Sequence, residues 1–92
     1  MIRGFHCKRT EKLHRGECVR AFDAIARPAR KRLKWLHAAG SLEDLRNIRG
    51  NRLEPLAGSR KGQHSIRIND QWRICFCWLD GHAWDVEIVD YH

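Results

Sequence analysis

Residues 64–89, HSIRINDQWRICFCWLDGHAWDVEIV, hold three runs of alternating apolar and polar side chains, separated by Asn69-Asp70-Gln71 and Asp80-Gly81-His82. A period of two with Ile, Val, Phe and Trp at the apolar positions marks half-buried strands, and short polar breaks between them mark hairpins. Three adjacent antiparallel strands are expected. A two-residue Asp80-Gly81 loop would set Ile74 against Glu87 and Phe76 against Asp85. A three-residue loop that includes His82 sets Trp78 against Trp84, Phe76 against Val86 and Ile74 against Ile88, so the second register is expected, with all six on one buried face.

The same reasoning for Asn69-Asp70-Gln71 pairs Ile66 with Ile74 and puts Arg67 opposite Arg73 on the other face. Like charges facing each other across a ladder destabilise it unless something neutralises them. Two readings follow. In one, an Arg73–Glu87 ion pair holds the sheet; in the other, the two guanidiniums, with Asp90, Tyr91 and His92 at the chain end, form an anion site.

Upstream the period changes. Ile2 and Phe5 suggest a short first strand, Lys8 to His14 a short helix stopped before Gly16, and Pro28 to Ala39 a longer helix stopped by Gly40. Ala29, Leu33 and Leu36 fall on one stripe of that helix, with Phe22 and Ile25 joining it if the helix extends upstream; Arg27, Arg30, Lys31 and Lys34 gather on the other side. This basic side is either a solvated face or a surface that tracks phosphates. Ser41 with Asp44 signals the start of a further helical turn, Leu42 to Ile48. Pro55 between Leu53 and Leu56 marks an edge strand or turn, and SRKGQ (59–63) a polar loop carrying Arg60 and Lys61. Helices first and a sheet afterwards make an α+β domain with an N-terminal strand and helices packed on a small antiparallel sheet.

Ninety-two residues with 42% hydrophobic and 32% charged side chains suit a single domain, residues 1–92, and exclude wholesale disorder. No stretch approaches the roughly 20 consecutive apolar residues of a membrane span, and residues 1–12 lack the apolar core of a signal peptide, so a soluble cytoplasmic protein without a membrane partner is expected. The net charge is +7, with 13 Arg among 18 basic residues. Residues 1–62 carry 16 basic and 6 acidic side chains, residues 63–92 only 2 and 5. Such a charge draws RNA, DNA, anionic lipid or an acidic protein without choosing among them. Cys7, Cys18, Cys75 and Cys77 have neither zinc nor disulfide spacing, so reduced structural thiols and no metal are expected.

Metal-free RNA cleavage needs a group to take the 2′-hydroxyl proton, a cation for the charge that builds on phosphorus, and a donor for the leaving 5′-oxygen. Arg73, Asp90, Tyr91 and His92 include candidates for all three. A His, Asp or Tyr at a chain end is otherwise an ordinary frayed terminus.

The segment RLEPLAGSRKGQHSIRINDQWRICF (52–76) and the terminal Asp90-Tyr91-His92 resemble the RelE/ParE superfamily of bacterial toxins, within it the HigB (host inhibition of growth) branch; Gly58, Arg60, Gly62, Ser65, Ile66, Arg67, Trp72, Arg73, Ile74 and Phe76 carry the motif. The resemblance implies a RelE-like, microbial-RNase-like fold and cofactor-free endonucleolytic cleavage of mRNA on the translating ribosome. It implies a HigA-like helix-turn-helix antitoxin, with operator DNA bound only through the antitoxin complex. Carried onto these positions, it gives Arg73 the scissile phosphate, Asp90, Tyr91 and His92 orientation and acid/base work, and Arg60, Lys61 and Arg67 the RNA backbone, with Lys31 and Lys34 as further RNA contacts on charge grounds. Many relatives have Lys where this chain has Ala57, and some have His where it has Glu54. Both departures weaken the expected attraction for phosphate. A catalytically impaired module of the same fold, binding antitoxin, RNA or ribosome, is the competing expectation; the gyrase-poisoning ParE branch is disfavoured because the terminal Asp-Tyr-His belongs to the RNase-like relatives.

Overall fold

The computed structural model describes residues 1–90; Tyr91 and His92, both expected at the catalytic site, lie outside the described residues. Helices α1 (Lys8–His14), α2 (Ala26–Ala38) and α3 (Leu42–Arg46) precede strands β1 (Glu54–Pro55), β2 (Gln63–Arg67), β3 (Trp72–Leu79) and β4 (His82–Asp90). The strands form one antiparallel sheet in the order β1-β2-β3-β4. Helices against one face of a hairpin-built sheet give the α+β layering expected from the pattern. Leu13, Phe22, Ile25, Ala29, Leu33 and Leu36 meet Ile66, Ile74, Phe76, Val86 and Ile88 in a single buried core.

Helix α2 begins two residues before Pro28, fed directly by a 3₁₀ turn over Arg20–Ile25 that carries Phe22 and Ile25 into the core. Pro28 is tolerated there because the first four N–H groups of a helix have no intrahelical acceptor. The Ser41 hydroxyl accepts the Asp44 N–H at 3.2 Å and caps α3, which ends at Arg46 rather than Ile48.

Between β2 and β3 the register is the expected one, with Ile66 opposite Ile74 and Arg67 opposite Arg73. Between β3 and β4 it needs correction. Asp80 and Gly81 both have positive φ (53° and 79°) and make a two-residue hairpin turn, pairing Leu79 with His82, Trp78 with Ala83 and Cys77 with Trp84. Positive φ at both central residues gives the turn the twist that matches the strands. A β-bulge then restores the alternation: Phe76 stands against Asp85 and Val86 together, and Ile74 meets Ile88 as expected. Asp85 absorbs the extra residue at φ 53°, in the left-handed region that Asp tolerates better than most. The expected pairing of Trp78 with Trp84 is therefore wrong. Trp78 packs on the core opposite Ala83, and Trp84 is 40% exposed on the other face.

The expected first strand is reduced to two isolated parallel bridges, Ile2 to Ala83 and Phe5 to Val86. They flank the bulge, which breaks any continuous ladder along that edge. The edge is covered nonetheless. Arg3 and His6 donate to the Ala83 and Val86 carbonyls at 2.8 and 3.1 Å, and the buried Thr10 hydroxyl accepts the Ile88 N–H at 3.1 Å. An edge closed in this way offers no template for another strand.

Candidate functional site

The sheet face turned away from the helices carries, by register, Ser65 and Arg67 on β2, Arg73, Cys75 and Cys77 on β3, and Trp84 and Glu87 on β4, with Glu54 beside Ser65 on β1. Its centre is Arg73, whose side chain is only 9% exposed. Nε donates to Ser65 Oγ at 2.7 Å, and Nη2 donates to the Arg52 carbonyl at 2.7 Å and lies 3.2 Å from Glu54 Oε1. Arg52 takes positive φ (45°), a conformation that costs a non-glycine residue energy and accompanies the delivery of its carbonyl to the guanidinium. A buried cation is stable only when its donors are matched. Arg73 is thus a fixed guanidinium rather than a surface charge.

Arg60 sits in the 3₁₀ turn Gly58–Arg60 and reaches across the sheet, donating to Gln63 Oε1 at 3.1 Å and lying 3.2 Å from Glu87 Oε1. Beside it Cys75 is fully buried, and burial pushes its thiol pKa up. The expected Arg73–Glu87 pair is replaced by two others, Arg73–Glu54 and Arg60–Glu87. Arg67 pairs with Asp70. The facing arginines 67 and 73 therefore each have their own carboxylate, which removes the like-charge conflict.

The remaining expected site residues divide. Lys61 is exposed next to Arg60. Asp90 stands opposite Trp72, on the side of β4 that also carries Ile88, and its carboxylate accepts from Gln71 Nε2 at 3.1 Å. Strand alternation thus puts Asp90 on the helix side, where the expected convergence had it beside Arg73. Lys31 and Lys34 are exposed on the outer side of α2 and, with Asp23, Ala26, Arg27 and Arg30, line an open groove of about 710 Å³. Ala29, Leu33 and Leu36 turn the opposite side of α2 into the core, so helix and sheet both separate this groove from Arg73.

Sequence reasoning does not single out Glu54, Ser65 or the Arg52 carbonyl as partners of Arg73. A signal for Ser65 exists, since it lies diagonal to Arg73 once Arg67 is set opposite it. The Arg52 carbonyl has none, because it depends on an unusual φ. Among the described residues no three His, Cys, Asp or Glu side chains cluster closely enough to share a metal ion. Chemically, the face offers a rigid guanidinium, a second one spanning the sheet, and an exposed cation at its rim, an arrangement suited to a phosphodiester.

Comparison with known proteins gives a family and a fold. A family model described as the RelE-like toxin of the type II toxin-antitoxin system HigB matches residues 9–92. The chain is 49% identical over 53 residues to Toxin HigB-1 of Vibrio cholerae serotype O1, an alignment covering 58% of this chain and 56% of that protein. It is 36% identical over 61 residues to Endoribonuclease HigB of Proteus vulgaris, covering 66% of this chain and 65% of that one. The matches thus span between half and two thirds of the relatives' own lengths. A solved structure, the YoeB-YefM complex from Staphylococcus aureus, superposes with a TM-score of 0.61 at 18% identity, covering 100% of this chain and 98% of that one, and shows a shared fold.

Proposed function

This chain belongs to the HigB-like family of RelE-like toxins, and on that premise we propose that it is the toxin of a type II toxin-antitoxin system and an endoribonuclease that cuts mRNA on the translating ribosome without a metal. The observation that carries the reading is the preorganised Arg73, held by Ser65, the Arg52 carbonyl and Glu54 on a sheet face that the core does not use. A cation fixed before the reaction stabilises charge developing on phosphorus without the cost of reorganising during it.

Arg73 binds the scissile phosphate; Arg60, Lys61 and Arg67 bind the flanking backbone. Tyr91 and His92 supply the acid/base pair, since an imidazole changes charge near neutral pH and a phenol can donate to an oxyanion. Asp90, tethered to Gln71, orients the chain end. Lys31 and Lys34 make a separate, purely electrostatic contact with RNA of the ribosome. The partner that silences the protein is a HigA-like helix-turn-helix antitoxin, through which alone the pair reaches operator DNA, and the setting is the cytoplasm.

The test is induction in growing cells with mapping of RNA 5′ ends. New termini positioned within codons, absent in Arg73→Ala and His92→Ala proteins that remain folded, are expected. Growth arrest without new termini would instead support a non-cleaving binding module. One observation favours that second reading: the Glu54 carboxylate occupies the guanidinium edge that a phosphate would need.

A further inference from the structure

Trp84 takes no part in the contacts described so far. It is absent from the core, 40% exposed, and opposite Cys77 on the sheet face that holds Arg73. Its position follows from the two-residue turn and the bulge, which turn Trp84 out while Ala83 and Val86 turn in. The indole is laid against Gly4, where an added Cβ would meet Trp84 Cε3 at 3.6 Å. Leu79, 60% exposed, lies diagonal to it on the same face. A large aromatic ring backed by the chain and open to solvent is thus presented at one end of a line that runs through Arg60 and Glu87 to Arg73.

We propose that Trp84 is a stacking platform for a base of the single-stranded RNA whose phosphate Arg73 holds. The proposal rests on the RNA-cleaving reading and adds a second, uncharged point of attachment to it. Cys77, opposite Trp84, is four residues from Arg73 along β3, roughly 13 to 14 Å at strand spacing. That is about four nucleotides at the 3.4 Å spacing of a stacked strand, and fewer if the strand is extended. Guanidiniums along a face with an aromatic ring at its end are the ingredients of single-strand binding, where the cations follow the backbone and the ring takes a base of any sequence. The two guanidiniums on that line, Arg60 and Arg73, favour RNA over an apolar protein surface as the occupant.

The experiment uses the full chain and a short fluorescein-labelled single-stranded RNA, 2′-O-methylated to prevent cleavage, with one abasic nucleotide walked along it. Anisotropy should show Trp84→Ala binding the intact RNA on the order of tenfold more weakly, Trp84→Phe binding nearly as wild type, and the salt slope unchanged. One abasic position should cost the wild type the same factor and cost Trp84→Ala nothing further. Wild-type affinity in Trp84→Ala, equal losses for intact and abasic RNA, or no binding by the wild-type chain would overturn the proposal. So would loss of antitoxin binding with RNA binding intact. Trp84→Phe keeps an aromatic ring and guards against a folding defect. Cleavage is scored separately on programmed ribosomes: stacking without cutting would sink the nuclease reading alone, and cutting indifferent to Trp84 would sink the stacking site alone.

Discussion

Glu54 holds Arg73 from the edge strand at 3.2 Å, with the carboxylate half exposed and the guanidinium nearly buried. The carboxylate therefore competes with any phosphate that approaches Arg73, and it does so from a position solvent can reach. Glu54→Gln removes the charge and keeps the shape. Phosphate binding should tighten by about 1 kcal/mol or more, roughly fivefold in affinity, since that is the scale of one like-charge contact near a surface. Cleavage of programmed mRNA under subsaturating conditions should rise accordingly. An unchanged rate would mean that Glu54 swings away when RNA binds.

Arg73→Lys tests whether charge alone suffices. An ammonium cannot reproduce the planar fork that reaches Ser65 Oγ and the Arg52 carbonyl together. Stability should fall by about 1 to 2 kcal/mol as those acceptors lose their donor, and cleavage by roughly 10²-fold as the cation leaves its fixed position. Urea unfolding and single-turnover cleavage read the two effects independently. Near-normal cleavage in the Lys protein would show that Arg73 acts as a diffuse charge.

The elements that decide this face are unequally legible in the sequence. Arg67 opposite Arg73 follows from hydrophobic alternation because both flanking strands are regular. The β3–β4 hairpin misleads the same argument, since alternation can be restored by a bulge as well as by a longer loop. The correct signal is local: Asp80-Gly81 favours a two-residue turn, and Asp85 is among the few residues that accept positive φ. Lys31 and Lys34 are recognisable as a basic surface. Their separation from Arg73 depends on how the layers stack, which the composition of one helix does not contain.

The bulge makes a stability prediction. Asp85→Gly should leave stability nearly unchanged, whereas Asp85→Val should lose about 1 to 2 kcal/mol, the cost of the left-handed conformation for a residue with no local compensation. Deleting Asp85 would remove the bulge and leave a regular ladder, with Val86 opposite Phe76 and Ile88 still opposite Ile74, so the core face should survive the deletion. Thermal or urea unfolding of the three proteins separates these outcomes. A Val variant as stable as wild type would mean that the bulge migrates along β4.

Lys31 and Lys34 line the groove on α2, on the far side of the helix layer from Arg73. Their replacement by Gln should weaken association with ribosomes and make its salt dependence shallower, by about one unit of slope for each phosphate no longer neutralised. Cleavage at saturating protein should be unaffected. Sedimentation with ribosomes at several salt concentrations gives the slope, and an unchanged slope would return this groove to plain solvated surface.

His14 and His64 should each make the fold less stable in acid. Burial is the leading cause holding each imidazole below its ordinary pKa of 6.5, reinforced for His14 by His37 and Lys34 and for His64 by Arg46. His14 packs 5.4 Å from the His37 ring, and His64 stacks at 6.1 Å on Phe76. Because these groups are harder to protonate in the folded chain, the unfolded chain binds more protons once the pH drops below about 6.5. Their contribution is therefore intact above that pH and declines as the pH falls from there through the lowered folded values. Wild-type melting temperature should drop between pH 7 and pH 5, and a His14→Gln, His64→Gln protein should drop less, since its glutamines take up no proton. Parallel curves for the two proteins over that interval would show that other groups govern the acid response.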